Sequence, residues 1–144
     1  MRFVFDDGGR TAAGYKGLAG DCVCRSIAIA SGKPYAEIYA ALGKGCKTQR
    51  RSKRGGPHSS ARDGVHTSRK WFKDFMTSLG FVWVPCMGIG TGCKVHLHDG
   101  ELPAGRLVVA VSKHLTAVID GVIHDTHDPS RDGSRCVYGY FMKA

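Results

Sequence analysis

The chain has 144 residues, 42% hydrophobic and 23% charged, the size and composition of one globular domain with its own core, which excludes a fully disordered chain. Lysine and arginine number 21 against 12 acidic residues, a formal charge of +9 that should draw polyanions or acidic partners. The charge is not attached to a zinc-finger spacing, an RNP-like run or a basic heptad region, and no apolar run reaches membrane-spanning length, so nucleic acid is a secondary expectation and a membrane is not expected.

In chain order, MRFVFDDGGR turns acidic and glycyl after five residues, unlike a signal peptide. That leads us to expect a cytoplasmic protein whose six cysteines are thiols, with disulfides a minor alternative. Arg2 to Phe5 suits a short strand, and the glycine-rich stretch that follows reads as a loop. Val23, Ile27, Ala28 and Ala30 recur at helical spacing and predict a helix over Cys22 to Ala30. Pro34 suits the first position of a second helix, Tyr35, Ile38, Tyr39 and Leu42 give its stripe, and Gly43 is its expected stop. An exposed basic insertion follows over about 44–64, with five basic residues among the eight from Lys47 to Arg54. It reads as a solvated loop or, more sharply, as a flap that engages substrate or an anion, with His58 and His66 exposed in or beside it.

Thr67 or Ser68 can cap a third helix, whose stripe is Trp71, Phe72, Phe75, Met76 and Leu79 and whose end is Gly80. FVWVPC reads as a strand, MGIGTGC as a turn without the lysine and hydroxyl of a phosphate-cradling loop, and KVHLH as a possible strand flanked by His96 and His98. RLVVAVS, HLTAVID, GVIHDT and CVYGYFM are the strongest β signal. Helices first and an antiparallel meander later predict an α+β fold.

Cys22 opens the first predicted helix, where unsatisfied N–H groups and the macrodipole favour a thiolate. Gly20, just upstream, permits close backbone approach, and Cys24 lies part of a turn inside, pointing elsewhere. A base for such a thiol follows from counting a hairpin. Asp120-Gly121 is a two-residue type I′ turn signal, so Ile119 pairs with Val122, Val118 with Ile123, Ala117 with His124 and Thr116 with Asp125. His114 and Asp125 are then diagonal neighbours on one sheet face, about 7–8 Å apart at the backbone. Asp120 is too far along the strand, and Asp128 and His124 fall on the other face. His127, opposite His114, is the reserve if the register slips. A carboxylate beside an imidazole completes a Cys-His-Asp set.

GDCVCRSIA resembles the nucleophile segment of papain-like cysteine peptidases and comes nearest the DGNCxxRA style of OTU-type deubiquitinases. SKHLTAVIDGVIHDTHDPS resembles their C-terminal part, and the whole chain resembles small papain-like proteins of bacteriophages and prophages. The resemblance implies one papain-like domain over 1–144, with N-terminal helices, including the nucleophile helix, packed on a C-terminal antiparallel sheet. It implies a Cys22 nucleophile, a His114 base, Asp125 as orienter, and backbone N–H groups at Ala19 and Cys22 for the oxyanion. No cofactor is implied, and the substrate would be a protein or peptide, a host protein among the candidates, with the protein in the host cytoplasm. The chain departs from the family in having no asparagine, in having Gln49 as its one glutamine, and in placing Ala19 where OTU-type enzymes carry an aspartate.

The other readings are plainer. Cys24, Cys46, Cys86, Cys93 and Cys136 suit buried small hydrophobes. Zinc ligation by Cys22 with Cys24, or by Cys93 with His96 and His98, lacks a matched second half, so no metal is expected. A non-catalytic protein binding nucleic acid or an acidic host protein, and an acyl or amide transferase with the same three residues, are the alternative functions.

Overall fold

The computed structural model describes residues 1–15, 21–48, 67–88 and 90–144. Among the described residues the chain is α+β, with three helices and six strands. They run in the order β1 (Arg2–Phe5), α1 (Cys22–Ser31), α2 (Tyr35–Thr48), α3 (Lys70–Ser78), β2 (Phe81–Pro85), β3 (Arg106–Val111), β4 (His114–Ile119), β5 (Val122–Asp125) and β6 (Gly139–Lys143).

Local chemistry explains most of the helix ends. α1 stops at Gly32, whose φ of 73° lets its N–H return to the Ala28 carbonyl. α2 starts at Tyr35, one residue later than expected, and Pro34 just before it accepts the N–H groups of Glu37 and Ile38 at its carbonyl. Gly43 does not stop it. The helix runs on to Thr48, so residues 44–48 are helical and do not belong to the basic insertion. A helical glycine costs only about 1 kcal/mol, and the added turn buries Cys46 beside Leu42. Residues 49–64 of the expected insertion, with His58 and His66, lie outside the described residues.

α3 is entered from Arg69 in extended geometry and without a side-chain cap, so neither Thr67 nor Ser68 plays the capping part expected of it. Phe72 and Met76 fill the core, with Trp71, Phe75 and Leu79 along its margin. Gly80 follows with φ 87°.

The strands form one sheet in the order β1-β5-β4-β3-β6-β2. Every pairing is antiparallel except β1 with β5. The hairpin register is the one counted from the sequence, Ile119 opposite Val122, Val118 opposite Ile123 and Ala117 opposite His124. Asp120 and Gly121 take the two positive φ values, 49° and 80°, that such a turn needs. The meander holds for β3, β4 and β5, whereas β6 returns to the far side of β3. Alternation along the strands gives two cores. Val108, Leu115, Ala117 and Phe141 pack against the helices. Leu107, Val109, Val111, Val118 and Ile123 pack on the opposite face with Leu97 and Val137.

Two expectations fail together. KVHLH makes only a single bridge, His96 to Cys136, rather than a strand, and β6 accordingly begins at Gly139 rather than at Cys136. That bridge joins segments remote in sequence and brings Cys93 to Cys136, 43 residues on, where the two are disulfide-bonded with Cα atoms 5.8 Å apart. Neither is core filler, Cys93 being exposed and Cys136 half-buried. Cys22, Cys24, Cys46 and Cys86 are free thiols, of which Cys24 and Cys46 are buried. Among the described residues no helix is long and apolar enough to cross a membrane.

Candidate active site

Cys22 is the first residue of α1, and Asp21 before it is the N-cap, but the Asp21 carboxylate does not cap the helix. It turns inward, where Arg25 donates from Nη1 to its Oδ1 at 2.6 Å and Tyr35 donates its hydroxyl to Oδ2 at 2.7 Å. Arg10 in turn donates to the Tyr35 hydroxyl at 2.8 Å. The first N–H groups of α1 thus have neither an intrahelical acceptor nor a side-chain cap.

His114 opens β4 directly after the Ser112-Lys113 turn, in which Lys113 has φ 57°. Its Nε2 lies 2.8 Å from Oδ2 of Asp125, the last residue of β5. Asp125 is 1% exposed and fully engaged. Thr116 donates to Oδ2 at 2.7 Å, the Thr126 N–H donates to Oδ1 at 2.7 Å, and Arg25 reaches the same Oδ1 from α1 at 3.0 Å. Arg25 therefore bridges the carboxylate before the thiol to the carboxylate behind the imidazole. With Nε2 given to Asp125, Nδ1 is the ring nitrogen left free, and Cys22 lines the same cleft as His114 and Leu115.

The electrostatics follow from these contacts. Burial works to raise the Cys22 pKa, but the bonds from His114 and Leu115 and the charges of His114 and Arg25 outweigh it and hold the thiol below its ordinary value. Burial works to lower the His114 pKa, and the bonds to Asp125 and Cys22 outweigh it and raise it to about 9. Burial works to raise Asp125, and its bonds from His114 and Thr116 outweigh it and hold the carboxyl at about 2. All three shifts favour thiolate, imidazolium and carboxylate. Cys24 has the opposite fate, since burial pushes its thiol up to about 12 and its S–H points to the Tyr35 carbonyl at 3.8 Å.

Cys22, Val23, Val111, Lys113 and His114 line an open cleft of about 320 Å³. It shares Ala110, Leu115 and Tyr138 with an apolar groove of about 400 Å³ floored by Phe81, Trp83 and Phe141.

Of the residues singled out by sequence, His114 and Asp125 are hydrogen-bonded and Cys22 lines the same cleft as His114, while Ala19 lies outside the described residues, as does Gly20. The reserve His127 sits with its ring 5.1 Å from the His114 ring and makes no bond to Asp125. His124 is turned to Asp6, 3.7 Å away, and Asp120 accepts the Gly105 N–H. Arg25 escaped the sequence reading, and Thr116 was read only as the residue opposite Asp125, not as a donor to its carboxylate. Arg25 carried a signal, the four-residue spacing from Asp21 that places two opposite charges on one helix face.

Cys22 and Cys24 do not form a metal pair, because Cys24 points into the core. Elsewhere, Cys93, His96 and Cys136 bring their ligand atoms within 4.8 Å of one another. Comparison of the chain with protein-family models, with curated proteins and with solved structures finds no match.

Proposed function

We propose that this protein is a thiol-dependent hydrolase of papain-like type that cleaves a peptide, isopeptide or other amide bond. The observation that supports the reading is that the Cys22 thiol and the His114 ring line one cleft, with His114 hydrogen-bonded to buried Asp125 behind it. The shifts of Cys22 and His114 both favour a nucleophile already ionised beside its proton donor. In the reaction, Cys22 Sγ forms a bond to the substrate carbonyl carbon, and the carbonyl oxygen becomes an oxyanion. N–H groups at the α1 N-terminus, Cys22 first, donate to it. His114 passes its proton to the leaving nitrogen as the C–N bond breaks, leaving a thioester. A water molecule, deprotonated by His114, then attacks that carbonyl, releases the acid and restores the thiolate. Asp125 orients the ring and stabilises its charge throughout. The groove floored by Phe81, Trp83 and Phe141 suits an apolar side chain next to the cleaved bond.

The test is alkylation with iodoacetamide at mildly acidic pH, with sites mapped by mass spectrometry. Cys22 should react alone, Cys22→Ala should abolish the fast phase, and His114→Ala should slow it while lowering any hydrolysis about 100-fold or more. Slow, uniform labelling of all the free thiols would overturn the reading.

A further inference from the structure

Cys93, His96 and Cys136 are assembled by backbone and core rather than by sulfur chemistry alone. The His96 to Cys136 bridge is flanked by two hydrogen bonds, Leu97 N–H to the Arg135 carbonyl and Val137 N–H to the Val95 carbonyl, both 2.8 Å. Leu97 and Val137 are fully buried and anchor both segments. The two cysteines would stay neighbours with their bond reduced.

A disulfide has no use for an imidazole, yet one is held against this pair. His96 Nε2 lies 3.5 Å from Cys93 Sγ. Its Nδ1 lies 3.2 Å from Glu101 Oε1, and the same oxygen accepts the His96 backbone N–H at 3.2 Å. A carboxylate that fixes the far nitrogen of a histidine, leaving the near one aimed at two sulfurs, is the arrangement that metal-binding histidines require. Zinc bonds of about 2.3 Å to sulfur and 2.0–2.1 Å to nitrogen set tetrahedral ligand atoms about 3.5–3.8 Å apart; His96 Nε2 already lies 3.5 Å from Cys93 Sγ, and the two sulfurs, bonded to each other here, need only part once reduced.

We propose that, with both thiols reduced, Cys93, His96 and Cys136 bind one zinc ion through Sγ, Nε2 and Sγ, with Glu101 as positioning residue and a fourth position open to water. The bonded and metal-bound forms exclude each other. A thiol reductant gives the disulfide two electrons and two protons and is itself oxidised to a disulfide, and each cysteine then releases its proton as its sulfur binds the metal. Exposed Cys93 gives the ion its entry from solvent. The site does not depend on the hydrolase reading.

The full-length protein, reduced with a dithiol and desalted without oxygen, is titrated with Co²⁺ and then Zn²⁺. We expect a sulfur-to-cobalt charge-transfer band that saturates at one equivalent, is displaced by zinc, and is missing from the oxidised protein. Cys22→Ser should keep the band, Cys93→Ser and Cys136→Ser should lose it, and Glu101→Gln should weaken affinity about tenfold. For a readout free of any folding defect in a variant, zinc added to the reduced wild-type protein should shield Cys93 and Cys136, but not Cys22, from alkylation. Absence of the band in reduced protein, or alkylation of Cys93 and Cys136 unchanged by zinc, would overturn the proposal and leave the pair a structural disulfide only.

Discussion

Arg25 stands in α1 between two buried carboxylates, 2.6 Å from Asp21 Oδ1 and 3.0 Å from Asp125 Oδ1. Its own side chain is 9% exposed, so water does little to replace it. Arg25→Ala would leave both carboxylates buried without their shared cation, and we expect a loss of about 3–5 kcal/mol, read from urea unfolding. Arg25→Lys should recover only part of it, because an ammonium carries all its donors on one nitrogen, whereas the guanidinium reaches the two carboxylates with separate nitrogens, Nη1 and Nη2. Asp125→Asn tests the other end. Without the negative charge His114 should hold its proton less tightly, and the pH midpoint of Cys22 alkylation should move upward. An unchanged midpoint would separate Asp125 from the proposed chemistry. At this scale the hairpin count reached His114 and Asp125 because a two-residue turn transmits register without help from the rest of the molecule. Arg25 was not reached because its second partner is 100 residues away.

Among the elements, α2 shows tertiary packing overriding local preference. Gly43 has the residue type of a helix stop, yet the helix continues past it, and Gly45 within the extra turn has a packing reason. A Cβ there would lie 2.1 Å from the Trp71 ring of α3, so the missing side chain is what lets the two helices close on each other. Helix propensity alone predicts that Gly45→Ala stabilises by about 1 kcal/mol. The packing reverses the sign, and we expect Gly45→Ala to destabilise by about 1–3 kcal/mol in thermal or urea unfolding. Stabilisation would show that Trp71 swings aside freely. The strand elements were easier to read, since β-branched and apolar runs bounded by turn residues mark β3, β4 and β5. The stretch around His96 was not, because one bridge needs no run of alternating residues and leaves almost no pattern.

For the whole molecule, the ionised site links stability to pH. The folded state holds the His114 proton up to about pH 9, against a reference of 6.5, so this contribution is complete below about 6.5 and is lost as pH rises through 9. Cys22 works the other way. Its depressed folded pKa contributes stability above its reference of 9, and that is lost as pH falls through the folded value. The two offset each other in the wild-type protein. In Cys22→Ala the His114 contribution stands alone, and its folded pKa comes down from about 9 without Cys22 while Asp125 still holds it raised, so from about pH 6.5 upward stability should fall more steeply than in wild type, by at most about 1.4 kcal/mol per pH unit. Urea unfolding across that range measures it, and parallel curves for the two proteins would argue against a thiolate–imidazolium pair. On the acid side, Asp125 contributes above its reference of 3.8 and loses that contribution as pH falls toward 2.

Taken alone, the sequence determined the α+β class, the helix stripes, the 119–122 hairpin and its register, and hence which histidine faces which aspartate. These depend on periodicity and turn chemistry, which act over a few residues. Tertiary structure alone decided that β1 joins β5 in parallel, that β6 returns beside β3, that Arg25 ties Asp21 to Asp125, and that Cys93 and His96 meet Cys136. Each of these contacts closes a long loop, and what selects it is the burial and hydrogen bonding it gains against many alternative pairings, which no local pattern records.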